Sequence, residues 1–158
     1  MISFVLAAVL ITPPPSSDVQ YRQPQLAADD EHVVVTFGAK HDIFVAISND
    51  DGRRFARPIS LPNSGILSLG MHRGPRVAMD SGSIIISAIV GKKGKGEDAD
   101  LLSWRSHDTG RTWSGPVHIN EVEGSAREGL HSMASRDGII YTAWLDLRSK
   151  GTKIYGSA

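Results

Sequence analysis

Cysteine is missing altogether from the 158 residues, which excludes disulfides and thiolate chemistry while leaving the compartment open. Excess charge is missing too. Seventeen Lys and Arg balance seventeen Asp and Glu, so no basic surface points to nucleic acid or to an anionic membrane. The six His are scattered, with no pair at metal-ligand spacing, so no zinc-type site and no cofactor are expected. No G-x-S-x-G stands beside an apolar run. The Gly-rich, basic stretch Gly91 to Gly96 lacks the terminal Ser/Thr of a phosphate-binding loop and reads as a mobile solvated loop. After Val19 no helical periodicity is found. The one long hydrophobic stretch, Met1 to Ile11, is too short at ~10 residues to cross a bilayer as a helix. Followed by Thr12-Pro13-Pro14-Pro15-Ser16-Ser17, it reads as a secretory leader and linker over residues 1–17, which predicts a secreted or periplasmic protein with no stable membrane insertion. The alternative is a buried N-terminal strand.

What is present is a repeat. Ser48-Asn49-Asp50-Asp51-Gly52-Arg53-Arg54-Phe55 and Ser106-His107-Asp108-Thr109-Gly110-Arg111-Thr112-Trp113 share one pattern, Ser-x-Asp-x-Gly-x-(Thr/Arg)-aromatic, 58 residues apart. Each suits a turn in which the Asp carboxylate accepts backbone N–H groups two residues on and Gly supplies a positive φ. The closing aromatic drops into apolar packing beside it. Around these turns run short apolar segments bounded by Gly, Pro, Asn and Asp, the signature of strands. Three are nearly continuous, residues 33–37, 84–90 and 139–145, which predicts strands covered on both faces. Tyr141 within the last reads as core. A shorter strand precedes each (25–28, 75–79, 131–134) and another follows (42–47, 100–105, 152–158). A fourth comes after each turn (58–61, 116–119).

Four antiparallel strands per unit at this period make the blade of a β-propeller. A chain of this size is one domain able to bury roughly two-thirds of its surface. The prediction is all-β: two complete blades (about 20–61 and 75–119) and a third cut short (131–158), a partial propeller within residues 18–158. Because rings use ~4–8 blades, the chain reads as the N-terminal part of something longer; a self-associating partial propeller is the alternative. Blade topology puts both Ser-x-Asp turns at one end, as structural staples. The opposite end collects His72-Arg73-Gly74-Pro75-Arg76, Ala126-Arg127-Glu128-Gly129-Leu130-His131 and Leu145-Asp146-Leu147-Arg148. Guanidinium groups there suit a small anionic ligand, or form blade-to-blade salt bridges on a solvated surface.

The octapeptides resemble the Asp-box (BNR) repeat of the sialidase superfamily, and Arg73–Arg76, Ala126–His131 and Trp144–Arg148 are similar to stretches of bacterial exo-alpha-sialidases. The resemblance implies a six-bladed propeller that releases terminal sialic acid, with three Arg gripping the sugar carboxylate, an Asp acid/base and a Tyr nucleophile assisted by Glu. It implies Arg73, Arg76, Arg127 and Arg148 as substrate-binding residues, Asp146 and Glu128 as catalytic carboxylates, and a sialylated glycan as partner. Ser48, Asp50, Gly52 and Phe55, with Ser106, Asp108, Gly110, Thr112 and Trp113, become the structural Asp-box set. The family's Tyr comes late, beyond Ala158, so the chain alone is expected to be inactive. A non-catalytic Asp-box propeller binding carbohydrate or protein is the second reading, and a hydrolase of another glycan the third.

Overall fold

The computed structural model describes residues 8–12, 19–80, 82–93 and 97–158; most of the expected leader and linker, and residues 94–96 of the Gly-rich loop, lie outside them. The first blade is an antiparallel sheet in chain order: β1 (Arg22–Ala28), β2 (Val33–Ala39), β3 (Asp42–Ser48) and β4 (Ile59–Leu61). The second holds β5 (Ile66–Leu67), β6 (Arg76–Asp80), β7 (Ser83–Gly91), β8 (Asp100–Ser106) and β9 (Ser114–His118). Its innermost position is split, because β5 and β6 both pair with β7, at Val90–Gly91 and at Ser83–Ser87. Blade 3 contains β10 (His131–Arg136), β11 (Ile139–Asp146) and β12 (Lys153–Ser157). A single 3-10 turn, Arg127–Gly129, precedes it. The fold is a partial β-propeller, as its sequence period predicts.

Two apolar seams hold the blades together. Val34, Ile43 and Val45 of blade 1 pack against Ile84, Ile86, Ala88 and Trp104 of blade 2. Ile89 and Leu101, on the other face of blade 2, meet Ala126 and Trp144. Fully burying an aliphatic side chain of this size is worth ~1.5–3 kcal/mol, so these seams dominate stability. Cover on both faces holds for β2 and β7, which are buried almost throughout. It fails for β11, whose burial alternates. Ile139 and Tyr141 stay 45% and 44% exposed, because none of the described residues packs on that face.

Both Ser-x-Asp turns form, with a hydrogen-bond pattern wider than an Asx turn. The Ser48 hydroxyl donates to Asp50 Oδ1 (2.9 Å) and accepts from Gly52 N–H (2.9 Å), while the same Oδ1 accepts Arg54 N–H four residues on (2.8 Å). Ser106, Asp108, Gly110 and Thr112 repeat this at 2.7–2.9 Å, and the Thr112 hydroxyl adds a bond to Asp108 Oδ2. Chiefly through Thr112, these donors hold the Asp108 carboxyl down at about 2. Phe55 packs on the Val35–Phe37–Ala46 cluster and Trp113 on the blade 1–2 seam. Gly110 has φ +80°, and a Cβ there would lie 2.1 Å from Ile47 Cδ1 of blade 1. Gly138 has a similar φ with nothing within 4 Å. Because Ile47 Cδ1 is the tip of a flexible side chain that can turn aside, Gly110→Ala should cost roughly 1–2 kcal/mol, against about 1 for Gly138→Ala. Urea unfolding of the two variants measures the difference, and equal losses would mean that the turn does not key into blade 1.

Candidate functional site

Antiparallel order puts the loops entering each blade, and those between the second and third strands, on the end opposite the Ser-x-Asp turns. Inner strands β1 and β6 begin on that end, with β10 beside β6. Residues 68–75 leave the sheet between β5 and β6 as a tight loop, closed by the Gly70–Arg73 bridge and by two left-handed residues, His72 (φ 60°) and Gly74 (φ 146°). The half-buried Arg76 staples this loop: its guanidinium donates to the carbonyls of His72 (2.6 Å), Gly74 (3.1 Å) and Pro75 (3.1 Å). Burial lowers its pKa from the ordinary guanidinium value. Three donors on backbone carbonyls make Arg76 a positioning residue for the loop.

Arg73 projects toward blade 3. A Cβ on Gly129 would lie 2.8 Å from Arg73 Cδ and 3.1 Å from Ser68 Cβ, so Gly129 at φ +69° lets the Arg73 stem cross the 3-10 turn. This brings Arg73 and the turn bearing Arg127 and Glu128 together, as the rim topology predicts. Arg127 is exposed, with Nε donating to Gly124 O (3.1 Å); the Glu128 side chain lies outside the described part.

Asp146 and Arg148 occupy each other. The buried Asp146 carboxylate accepts Arg148 Nη2 (2.9 Å), Nε (3.0 Å) and backbone N–H (2.8 Å), Trp144 Nε1 (2.9 Å) and the Ser125 hydroxyl (2.8 Å). Burial would raise its pKa, but these donors, Arg148 first, hold it well below 3.8. The guanidinium of Arg148 stacks on Tyr155 (4.1 Å to the ring centroid) and reaches Glu121 at 3.4 Å. A fully hydrogen-bonded, ionised carboxylate cannot act as a proton donor near neutrality. The geometry makes this pair a clamp between β11 and the 119–126 loop.

Two cavities open on this end. One of about 380 Å³ is lined by Asp98, Asp100, His118 and Glu123. Its Asp98 and Asp100 carboxylates already accept Lys92 and Lys93 N–H, and Asn120 and Gly124 N–H. The other, of about 300 Å³, is lined by Gln20, Arg22, Lys40 and Leu69. It gathers two cations beside the 68–75 loop. Neither Arg22 nor Lys40 is among the residues that the sequence singles out. The available signal was Arg22-Gln23-Pro24, which repeats Arg73-Gly74-Pro75 at the inner edge of the neighbouring blade. Among the described residues no three His, Asp or Glu could hold a metal ion, and no helix is long and apolar enough to cross a membrane.

No family model matches the chain, and no curated protein matches it. Solved structures do match. An alpha-L-arabinanase of Penicillium chrysogenum complexed with arabinobiose aligns over 94% of this chain and 49% of its own, at TM-score 0.59 and 17% identity. The catalytic domain of an alpha-L-arabinofuranosidase from Coprinopsis cinerea aligns over 89% and 54%, at TM-score 0.53 and 10% identity. An alpha-L-arabinofuranosidase of Podospora anserina in complex with cellotriose aligns over 88% and 54%, at TM-score 0.53 and 7% identity. The chain thus has the propeller fold of glycan-cleaving enzymes and spans about half the length of the structures it matches. At such identities the likeness is one of fold.

Proposed function

We propose that this chain is the glycan-recognising part of a glycoside-cleaving propeller, exported behind its first 17 residues, and that its sugar is acidic, a terminal sialic acid. The observation that carries the reading is the Arg22–Lys40 groove beside the Arg73 loop. Two cations converging where inner strands begin suit a carboxylate-bearing sugar, and a guanidinium binds carboxylate with two parallel N–H bonds. The Asp-box turns support the sialidase-like assignment, while the matched structures support glycan as the ligand class. Because Asp146 is consumed by Arg148, this half supplies binding groups; proton transfer then falls to Glu128 or to residues elsewhere. That observation also favours the second reading, a propeller that binds glycan without cleaving it.

The test is a titration of the chain with N-acetylneuraminic acid and, separately, arabinobiose, followed by amide chemical shifts. Binding of the acidic sugar, weakened about tenfold or more by Arg22→Ala or Arg73→Ala through loss of a charge-assisted hydrogen bond, is the expected result. Saturation by arabinobiose with no response to the acidic sugar would sink the sialic-acid assignment.

A further inference from the structure

The end of the propeller that carries the Ser-x-Asp turns has a cavity of its own, of about 300 Å³, set between blades 1 and 2. Two guanidinium groups flank it. Ala56 N–H donates to Ile47 O (2.9 Å), which ties the chain leaving the Ser48 turn to the end of β3 and seats Arg57 there. Gly110 of the other turn packs against Ile47, and the next residue, Arg111, forms the blade 2 wall. Asn49 and Thr109 add polar side chains, over an apolar floor of Val45, Ile47 and Ile59. Val45 and Ile59 are cross-strand partners, and Ile59 is 41% exposed. His32 lines a further side, its Nδ1 lying 3.3 Å from Asp29 Oδ1.

Charge sets this cavity apart. Among the described residues no carboxylate lines it, and neither Arg57 nor Arg111 has a side-chain hydrogen bond or ion pair. The carboxylates of the turns are committed elsewhere. Asp50 accepts the Ser48 hydroxyl and Arg54 N–H, Asp108 accepts the Ser106 hydroxyl and both donors of Thr112, and Asp51 lies 3.8 Å from Arg53. A cleft lined by one sign of charge concentrates the opposite sign, and guanidinium groups bind oxyanions through strong, directional N–H bonds. The apolar floor and the two polar side chains suit an uncharged body behind that anion. The volume, at the lower end of the range for small-molecule sites, holds a single ring. From these features we infer a second anion site, which takes a sugar ring bearing an oxyanion, either a sulfate ester or a carboxylate. Arg57 and Arg111 bind the oxyanion, Asn49 and Thr109 the ring hydroxyls, and Ile59 the C–H face of the ring. The choice of a sugar as carrier rests on the glycan reading above, but the site shares no residue with the Arg22–Lys40 groove and lies on the opposite end.

Amide chemical shifts of the full chain test this at constant ionic strength. The probes are a sulfated N-acetylglucosamine, glucuronic acid, uncharged N-acetylglucosamine and inorganic sulfate. Arg57, Gly110 and Arg111 should shift saturably with at least one acidic sugar and not with the neutral one, and the tighter acidic sugar identifies the oxyanion. Arg57→Gln or Arg111→Gln should weaken that binding about tenfold, through loss of a charge-assisted hydrogen bond. Arg136→Gln should leave it unchanged, because that guanidinium stands on the same end but is paired with Asp137 (3.1 Å). Shifts here with none at the Arg22–Lys40 groove support the site and count against the groove. Shifts at the groove alone overturn the site and leave the glycan reading standing, and silence at both ends overturns the two together. The inference also falls if the neutral sugar binds equally, or if inorganic sulfate does, which would mean an adventitious ion only. An equal loss in Arg136→Gln would overturn it as well, by showing diffuse charge in place of a site.

Discussion

Between pH 6 and pH 4 the fold should lose roughly 3 kcal/mol of stability, and one residue, His131, should account for most of it. His131 opens β10 inside the seam between blades 2 and 3, where it is 7% exposed. Its Nε2 lies 2.8 Å from the Ser87 hydroxyl, and its buried Nδ1 has no hydrogen-bond partner among the described residues. Burial, and then the positive charge of Arg76, push its pKa down to about 3 from 6.5. The unfolded chain binds the proton from about pH 6.5 downward, whereas the folded chain resists it until about pH 3. Unfolding is therefore favoured by about 1.4 kcal/mol for each pH unit within that window, with a plateau above it. Urea unfolding at successive pH values gives the slope. His131→Gln keeps a group able to bond Ser87 and cannot titrate, so it should flatten the profile between pH 6 and pH 4. An unchanged slope in that variant would assign the loss to other groups.

Removing Asp146 should be the most damaging substitution in blade 3. Asp146→Ala strands the Arg148 guanidinium, Trp144 Nε1 and the Ser125 hydroxyl beside a cavity. Breaking a buried pair from one side costs roughly 3–5 kcal/mol, because the remaining group stays desolvated. For a chain of this length that is a fall in Tm on the order of 10 °C. The double variant Asp146→Ala/Arg148→Ala should lose less than the sum of the two single losses, since no uncompensated charge remains. Additive losses would show that the pair is not a unit. The pH window separates the two predictions. The carboxylate's contribution is present above pH 3.8 and is lost only as pH falls below that value, whereas the effect of His131 is spent by about pH 3.

Turn chemistry and apolar period were legible in the sequence because both act locally. Ser48, Asp50 and Gly52 close their turn with atoms no more than four residues apart, and the strands flanking it follow from alternation and punctuation. The roles of Asp146 and Arg148 were not legible in the same way. Their spacing puts them within reach of each other, but whether the carboxylate turns to a substrate or to its neighbour depends on Trp144 and Ser125, and Ser125 lies 21 residues away in the chain. Tyr141, read as core, is 44% exposed for a related reason. A continuous apolar run reports that both faces want cover, and among the described residues only one face of blade 3 receives it. Arg22 was overlooked because its Arg-x-Pro repeat is three residues long and carries no turn signal of its own.

The split inner strand of blade 2 has a consequence for how this surface can change over generations. Both flanks of the 68–75 excursion are hydrogen-bonded to the same strand, β5 at Val90–Gly91 and β6 at Ser83–Ser87. Rewriting the exposed residues between them leaves those anchor points in register. The framework thus separates inheritance of shape from inheritance of specificity: β7 keeps the blade and Leu69 its packing on the core, while the tip carrying Met71 and His72 is open to change.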